Sequence, residues 1–171
     1  VTITGNTTIN VNDEESHIII LYANDSFNHL SNVTVIFFTN NSLGWNISSN
    51  QYSGSTTNLN NLIAQGKDYM QNISNFTLHV TDLGKIVFIN LINLSRDISL
   101  DNYTYIGNNS IIINSTMLPE LNKPATLYLY GLDFTTPQIL RDGAICSSTI
   151  CTQQSYSGGT LAFNVTGFTT Y

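Results

Sequence analysis

The first twelve residues, VTITGNTTINVN, alternate strictly. Val1, Ile3, Gly5, Thr7, Ile9 and Val11 fall on one side of an extended strand, and Thr2, Thr4, Asn6, Thr8, Asn10 and Asn12 on the other, because successive side chains of a strand point to opposite faces. Such a strand runs roughly 40 Å, about twice the common length. The acidic segment NDEES ends it. Two β-branched and aromatic runs follow, HIIILYA and NVTVIFFT, separated by NDSFNHLS; they read as two strands and a loop. Residues 40–58 are polar, carry Trp45, and read as a long loop or an edge hairpin.

A helical period occurs in LNNLIAQGKDYMQ, where Leu59, Leu62 and Ile63 share a face and Gly66 is a stop. NFTLHVTDL alternates, and KIVFINLINLS is nearly continuous in apolar residues, as in a strand buried on both faces; these two are expected at the centre of the core. Further strands are predicted in DNYTYIGNNSIIINSTML and PATLYLYGLDF. Asp142-Gly143 and Gly158-Gly159 are turn pairs between strand-forming runs. The pattern predicts an all-β chain of about nine to eleven strands, an antiparallel β-sandwich or jelly-roll with an extended N-terminal strand. A β-helix-like repetitive fold is the alternative, although no fixed period is found. Residues 1–12 are expected to form a terminal strand, a candidate donor strand, and 13–171 a single sandwich domain.

Composition changes the picture of the surface. Only 9% of the 171 residues are charged, against roughly 25% in ordinary soluble proteins. The five basic and eleven acidic residues give a net charge of -6, with Lys67, Lys85, Arg96, Lys123 and Arg141 scattered, so binding to nucleic acid through a basic face is not expected. No apolar run approaches the roughly 20 residues of a membrane helix, and no membrane insertion is expected. The N-terminus lacks signal-peptide regions; if the protein is exported, this sequence is a mature form or an excised piece.

The polar mass is Asn, Ser and Thr. Asn-x-Ser/Thr acceptor sequences occur at Asn6, Asn24, Asn32, Asn40, Asn46, Asn72, Asn75, Asn93, Asn102, Asn108, Asn114 and Asn164, 12 of the 23 asparagines. Strand parity sets Asn6, Asn32, Asn75 and Asn164 opposite their apolar neighbours, Val33 and Val35 among them, and so on the wet face. A heavily N-glycosylated exported protein is the expectation, with N-linked glycans keeping a charge-poor surface hydrated. The bland alternative is that asparagine simply prefers the wet face. Cys146 and Cys151, separated by SSTI, suit a disulfide across a short turn; a metal pair or free thiols are the other options, and a zinc site would need further ligands nearby.

Catalytic chemistry finds little footing. His17, His29 and His79 are far apart, and no strained Gly-x-Ser-x-Gly turn surrounds a serine. His79 lies on the polar side of its strand. Asp97 and Asp101 are four residues apart on an extended segment, which does not aim two carboxylates at one sugar. Calcium ligands are conceivable at Asn12, Asp13, Glu14 and Glu15, or in RDISLDN, but neither follows an ordered calcium loop. Trp45 with Tyr128 and Tyr130 would make a sugar-stacking platform, although tyrosines within a strand are more often core. No cofactor and no enzymatic activity are expected.

From about Leu83 onward the chain resembles a recurring module of archaeal secreted and cell-surface β-rich proteins, carried by GKIVFINLINLSRDISLDN, LPELNKPATLYLYGLDF, ILRDGAIC, TIC and YSGGTLAFNVTGFTTY. The resemblance implies an extracellular, cell-surface location in an archaeon more than any activity. The expected function is a structural subunit of an extracellular filament or surface layer, a homopolymer assembled by strand exchange. Val1, Ile3, Ile9 and Val11 would fill a neighbour's groove, and Gly5 would mark a close backbone approach. The first strand pairing within its own sheet is the ordinary alternative. An adhesive or carbohydrate-binding module of a larger surface protein is the second functional reading.

Overall fold

The computed structural model describes residues 16–24, 27–38 and 47–171. The chain divides into two compact units, 1–43 and 44–171. The boundary expected at residue 12 falls outside the described residues.

In the first unit the two β-branched runs form an antiparallel hairpin, β1 (Ser16–Asn24) with β2 (Leu30–Phe38), in register from Ser16 opposite Phe38 to Asn24 opposite Leu30. Its two faces are alike. Ile18, Ile20, Tyr22 and Ile36 are exposed on one, and Val33 and Val35 on the other. The expected division between a core face bearing Val33 and Val35 and a wet face bearing Asn32 is therefore not seen among the described side chains.

The second unit holds the core. After β3 (Ile47–Ser48), Asn58 starts α1 (Leu59–Gln65) by accepting the Asn61 amide at 3.0 Å. Gly66, at φ 104°, ends that helix and opens α2 (Lys67–Gln71). Then come β4 (Thr77–Val80), β5 (Gly84–Phe88), β6 (Ile98–Ser99), α3 (Leu100–Tyr103), β7 (Thr104–Gly107) and β8 (Ser110–Ile113). A 3-10 turn at Pro119–Leu121 leads into β9 (Ala125–Leu129), β10 (Leu140–Arg141), β11 (Ala144–Ile145), β12 (Cys151–Ser157) and β13 (Thr160–Val165).

Five strands form an antiparallel sheet in the order β12-β13-β9-β5-β4. Register aligns Leu78, Ile86, Leu127 and Phe163 across its inner face, each 0–1% exposed. On the outer face Lys85 Nζ lies 4.6 Å from the Tyr128 ring centroid, and Tyr130 meets His79 edge-on. Tyr128 and Tyr130 are thus half-buried on the open face rather than in the core, since they alternate with Leu127 and Leu129, which point inward. The inner face is covered by Met70, Ile73, Ile92 and Leu94, by Ile106, Ile111 and Ile113 of the β7–β8 hairpin, and by Leu118, Leu121, Phe168 and Tyr171.

Two sequence expectations change here. The run KIVFINLINLS is not a strand buried on both faces: β5 stops at Phe88, Ile89 and Leu91 are exposed, and Ile92 pairs instead with Ile73 in an isolated bridge. The strands expected at the centre separate as well, β5 lying inside the sheet and β4 at its end. The outer edge of β4 is covered by residues 53–57, through Ser53 N–H to His79 O (2.7 Å) and Thr57 N–H to Thr77 O (3.0 Å). The expected tight turns are present: Asp142 and Gly143 (φ 51° and 80°) join β10 to β11, and Gly158 and Gly159 (φ 55° and 73°) join β12 to β13. The chain is mostly β and antiparallel.

Candidate functional site

The most elaborate constellation lies where the C-terminal residues meet the core. Residues 169–171 run beside β8 as an added strand: Ile111 and Tyr171 exchange backbone hydrogen bonds at 2.8 Å each way, and Ile113 N–H reaches Thr169 O at 3.1 Å. Asn122 Oδ1 takes the Phe168 N–H at 2.9 Å, and the Tyr171 hydroxyl donates to Gly167 O at 2.5 Å. Aromatic contacts carry the segment into the core, from Phe76 to Phe88 to Phe168 (5.5 Å at each step), then to Tyr171 (6.2 Å) and Phe163 (6.0 Å).

The β10–β11 turn holds the same segment from another side. Asp142 Oδ1 accepts the Thr169 hydroxyl at 2.6 Å and the Thr170 N–H at 3.4 Å, while Asp142 N–H donates to Thr170 O at 3.0 Å. Asp142 reaches this position because its left-handed backbone, tolerated by Asp and relieved by Gly143, folds the hairpin tip sharply. Burial raises the Tyr171 phenol above its ordinary range, with the nearby Arg141 opposing that rise and Asp142 adding to it.

Beside this strand is a cavity of about 310 Å³. Leu129, Leu161 and Phe163 of the sheet, Ile139 and Leu140 at β10, and Tyr171 supply apolar walls; Asn109, Gln138 and Thr170 supply polar ones, and Phe134 completes the lining. Such a mixed concavity accepts an apolar group and orients it by a few polar contacts.

The residues singled out in the sequence do not converge there. Val1, Ile3, Gly5, Ile9 and Val11, the acidic group Asn12, Asp13, Glu14 and Glu15, and Trp45 lie outside the described residues, as do Asn6, Asn40 and Asn46. Asn24 ends β1. Asn32, Asn72, Asn75, Asn93, Asn102, Asn108 and Asn114 are exposed, and Asn164 is half-buried, accepting the Thr126 hydroxyl at 2.8 Å. Cys146 and Cys151 are joined in a disulfide with Cα atoms 5.9 Å apart.

Asp101 is a clamp rather than half of a carboxylate pair. Its oxygens accept the Asn50 and Gln51 N–H groups at 3.0 and 3.1 Å. Burial pushes its carboxyl upward, but these amides, with the Ser48 hydroxyl and the Asn50 side chain, outweigh that and hold it below the ordinary value. Nearby, the Tyr52 hydroxyl bonds Thr104 Oγ1 and its pKa is raised, chiefly by burial.

His79 Nδ1 accepts the Ser55 N–H at 2.8 Å with Ser55 Oγ 3.2 Å away. Burial and then Lys85 lower its pKa against the pull of Asp82, so the imidazole is neutral near pH 7 and serves as an acceptor that fixes the 53–57 loop. Among the described residues no group of three His, Cys, Asp or Glu side chains is arranged to hold a metal, and no helix is long and apolar enough to cross a membrane. What sequence reasoning missed was the C-terminal strand with Asp142 and Asn122. The Asp-Gly turn was visible, but nothing local says which distant backbone its carboxylate will bind.

No family model matches the chain, and no curated protein matches it. Solved structures do. One is the C-terminal domain of the nuclear pore complex component NUP116 from Candida glabrata, 25% identical, with a TM-score of 0.50, covering 70% of this chain and 92% of that one. Another is a mutant of the Chaetomium thermophilum Nup145N APD fused to Nup145C N, 23% identical, with a TM-score of 0.50, covering 64% of this chain and 89% of that one. These likenesses overturn the expected extracellular filament or surface-layer subunit, the alternative adhesive or carbohydrate-binding module, and the extracellular location with its archaeal glycoprotein character. The matched fold is that of a nuclear pore component rather than of a surface polymer. These two solved domains that share this chain's fold come from nuclear pore components.

Proposed function

We propose that the 44–171 unit is a non-enzymatic protein-binding domain that holds its chain within a multi-protein assembly. The observation that carries this reading is the C-terminal segment laid along β8 as an added strand, with the apolar cavity open beside it. Strand addition gives affinity through main-chain hydrogen bonds, and an adjoining pocket gives specificity through a side chain. The likeness to the NUP116 domain, a component of a large complex, supports the same reading. The architecture is read as a two-layer, sandwich-like β fold, with the β7–β8 hairpin and the C-terminal strand as the partial second layer.

The test is isolation of the tagged full chain from its own cells after mild crosslinking, with quantitative mass spectrometry. The reading expects one or a few partner proteins at fixed stoichiometry over a range of salt concentrations. A protein that stays monomeric and partner-free at every salt concentration would overturn it.

A further inference from the structure

Residues 53–57 lie along the outer edge of β4 without forming a regular ladder strand. Two of their amides reach the carbonyls of Thr77 and His79. The outward N–H groups of β4 and of the turn after it are taken by side-chain hydroxyls instead. Thr77 N–H donates to Thr57 Oγ1 at 2.9 Å, His79 N–H to Thr56 Oγ1 at 2.9 Å, and Thr81 N–H to Ser53 Oγ at 3.1 Å. The segment reads SGSTT, none of it buried, so it is held to the edge by hydrogen bonds and not by apolar packing.

One titratable group sits among these bonds. Ser55 N–H donates to His79 Nδ1 at 2.8 Å, and a backbone amide can only donate, so Nδ1 is the unprotonated nitrogen of a neutral ring. An imidazolium carries a proton on both nitrogens. Protonation therefore sets two donors against each other, and the Ser55 amide loses its acceptor. The ring is held where it is: Tyr130 meets it edge-on with centroids 6.0 Å apart, and Gly54, at φ 55°, lies so close that an added Cβ would collide with it. The exposed loop is the part that can give way.

The charges around the ring set the direction. Lys85, opposite His79 in the β4–β5 register, resists protonation, and Asp82 in the following turn favours it. The Tyr130 phenol, its pKa raised by burial, stays neutral, and residues 53–57 bring no charged group. Burial and then Lys85 keep the folded imidazole below its ordinary value of 6.5. A ring freed from the loop returns toward that value, so falling pH favours the released state.

We propose that residues 53–57 are a detachable cover over the β4 edge, latched by neutral His79 and released when the imidazole takes up a proton. Release frees the outward main-chain groups of Thr77 and His79, and the sheet gains an open edge in mildly acidic surroundings.

Amide hydrogen exchange of the full chain between about pH 4.5 and pH 7.5, divided by the intrinsic rate at each pH, tests this. The His79 ring is titrated in the same samples by its imidazole ¹⁵N shifts. Protection at Ser53, Ser55, Thr57, Thr77 and His79 is expected to fall about fivefold or more as the ring protonates, while Leu127 and Phe163 inside the sheet keep theirs. His79→Asn puts an acceptor that does not titrate near the position of Nδ1, and should keep the loop protected throughout. Lys85→Met touches none of the loop's hydrogen bonds and removes a charge that opposes protonation, so it should move the ring's midpoint and the loss of protection upward together. Steady protection at Ser55 while His79 titrates overturns the proposal, as does a ring that stays neutral down to about pH 4.5. The same holds for an equal acid loss in His79→Asn, or for a loss that does not follow the ring's midpoint in Lys85→Met. A fall shared equally by Leu127 and Phe163 would be acid unfolding of the whole unit and would overturn it too.

Discussion

At the scale of single residues, asparagine does more than the acceptor pattern suggested. Asn28, Asn75 and Asn109 adopt positive φ (59°, 50° and 55°), Asn58 caps α1, and Asn93 and Asn114 accept backbone N–H groups two residues on. These are turn functions at which asparagine excels among L-residues, so part of its abundance is backbone chemistry. Gly84 has a different reason to be small: an added Cβ would stand 2.5 Å from Tyr128 O and 3.1 Å from Ile106 Cγ2, between the sheet and the β7–β8 hairpin. Gly84→Ala is expected to lower stability by about 1–3 kcal/mol, the usual cost of overpacking, as read by urea denaturation. Asp101 makes a pH-dependent contribution. Its folded carboxyl titrates below its ordinary value of 3.8, so its stabilisation is present above that value and disappears as pH falls through the depressed one. Asp101→Asn should cost no more than about 1 kcal/mol at pH 7, because the group is well solvated. The gap from wild type should close in strong acid, as thermal melts between pH 2 and pH 7 would record.

At the scale of elements, the disulfide joins the start of β12 to the residue just after β11. The loop it closes is short, so replacing Cys146 and Cys151 by Ser should cost about 2 kcal/mol by the chain-entropy argument while the far-ultraviolet dichroism stays the same. A collapse of the sheet signal in that variant would show the bond to be holding the fold together. Elements whose cause is local were legible in the sequence. The alternation of TLHV became β4, and Asp142-Gly143 and Gly158-Gly159 became hairpin turns. Gly66 similarly ends α1. The end of β5 was not legible, because the apolar residues Ile89, Leu91, Ile92 and Leu94 carry the run on past Phe88 and its break depends on Ile92 finding Ile73. The candidate site was hidden for the same reason. Phe168 and Tyr171 are buried against residues far back in the chain.

At the scale of the whole molecule, the buried core cluster among the described residues lies between Leu59 and Tyr171. A fragment of residues 44–171 is therefore expected to melt cooperatively within a few degrees of the full chain, as calorimetry would measure; a fragment that fails to fold would mean that residues 1–43 complete the core. Composition and terminal alternation led toward a surface polymer because both describe the chain's exterior, while the likeness to nuclear pore domains arises from the arrangement of the sheet, which single-residue counts do not encode. The strand of residues 169–171 lies against a hairpin made well before it. Its partner on β8 is made early and Thr170 late, so Ile111 and Ile113 must wait for residues 168–171 before their backbone groups and the faces of Phe88 and Phe163 are covered. At synthesis rates of about 5–20 residues per second, roughly 3 to 12 s separate Ile111 from Tyr171 on the ribosome. For that interval the β8 backbone and the ring of Phe88 have no cover from this segment, which makes the unit a natural client for chaperones and ties its yield in the cell to how quickly residues 168–171 are added.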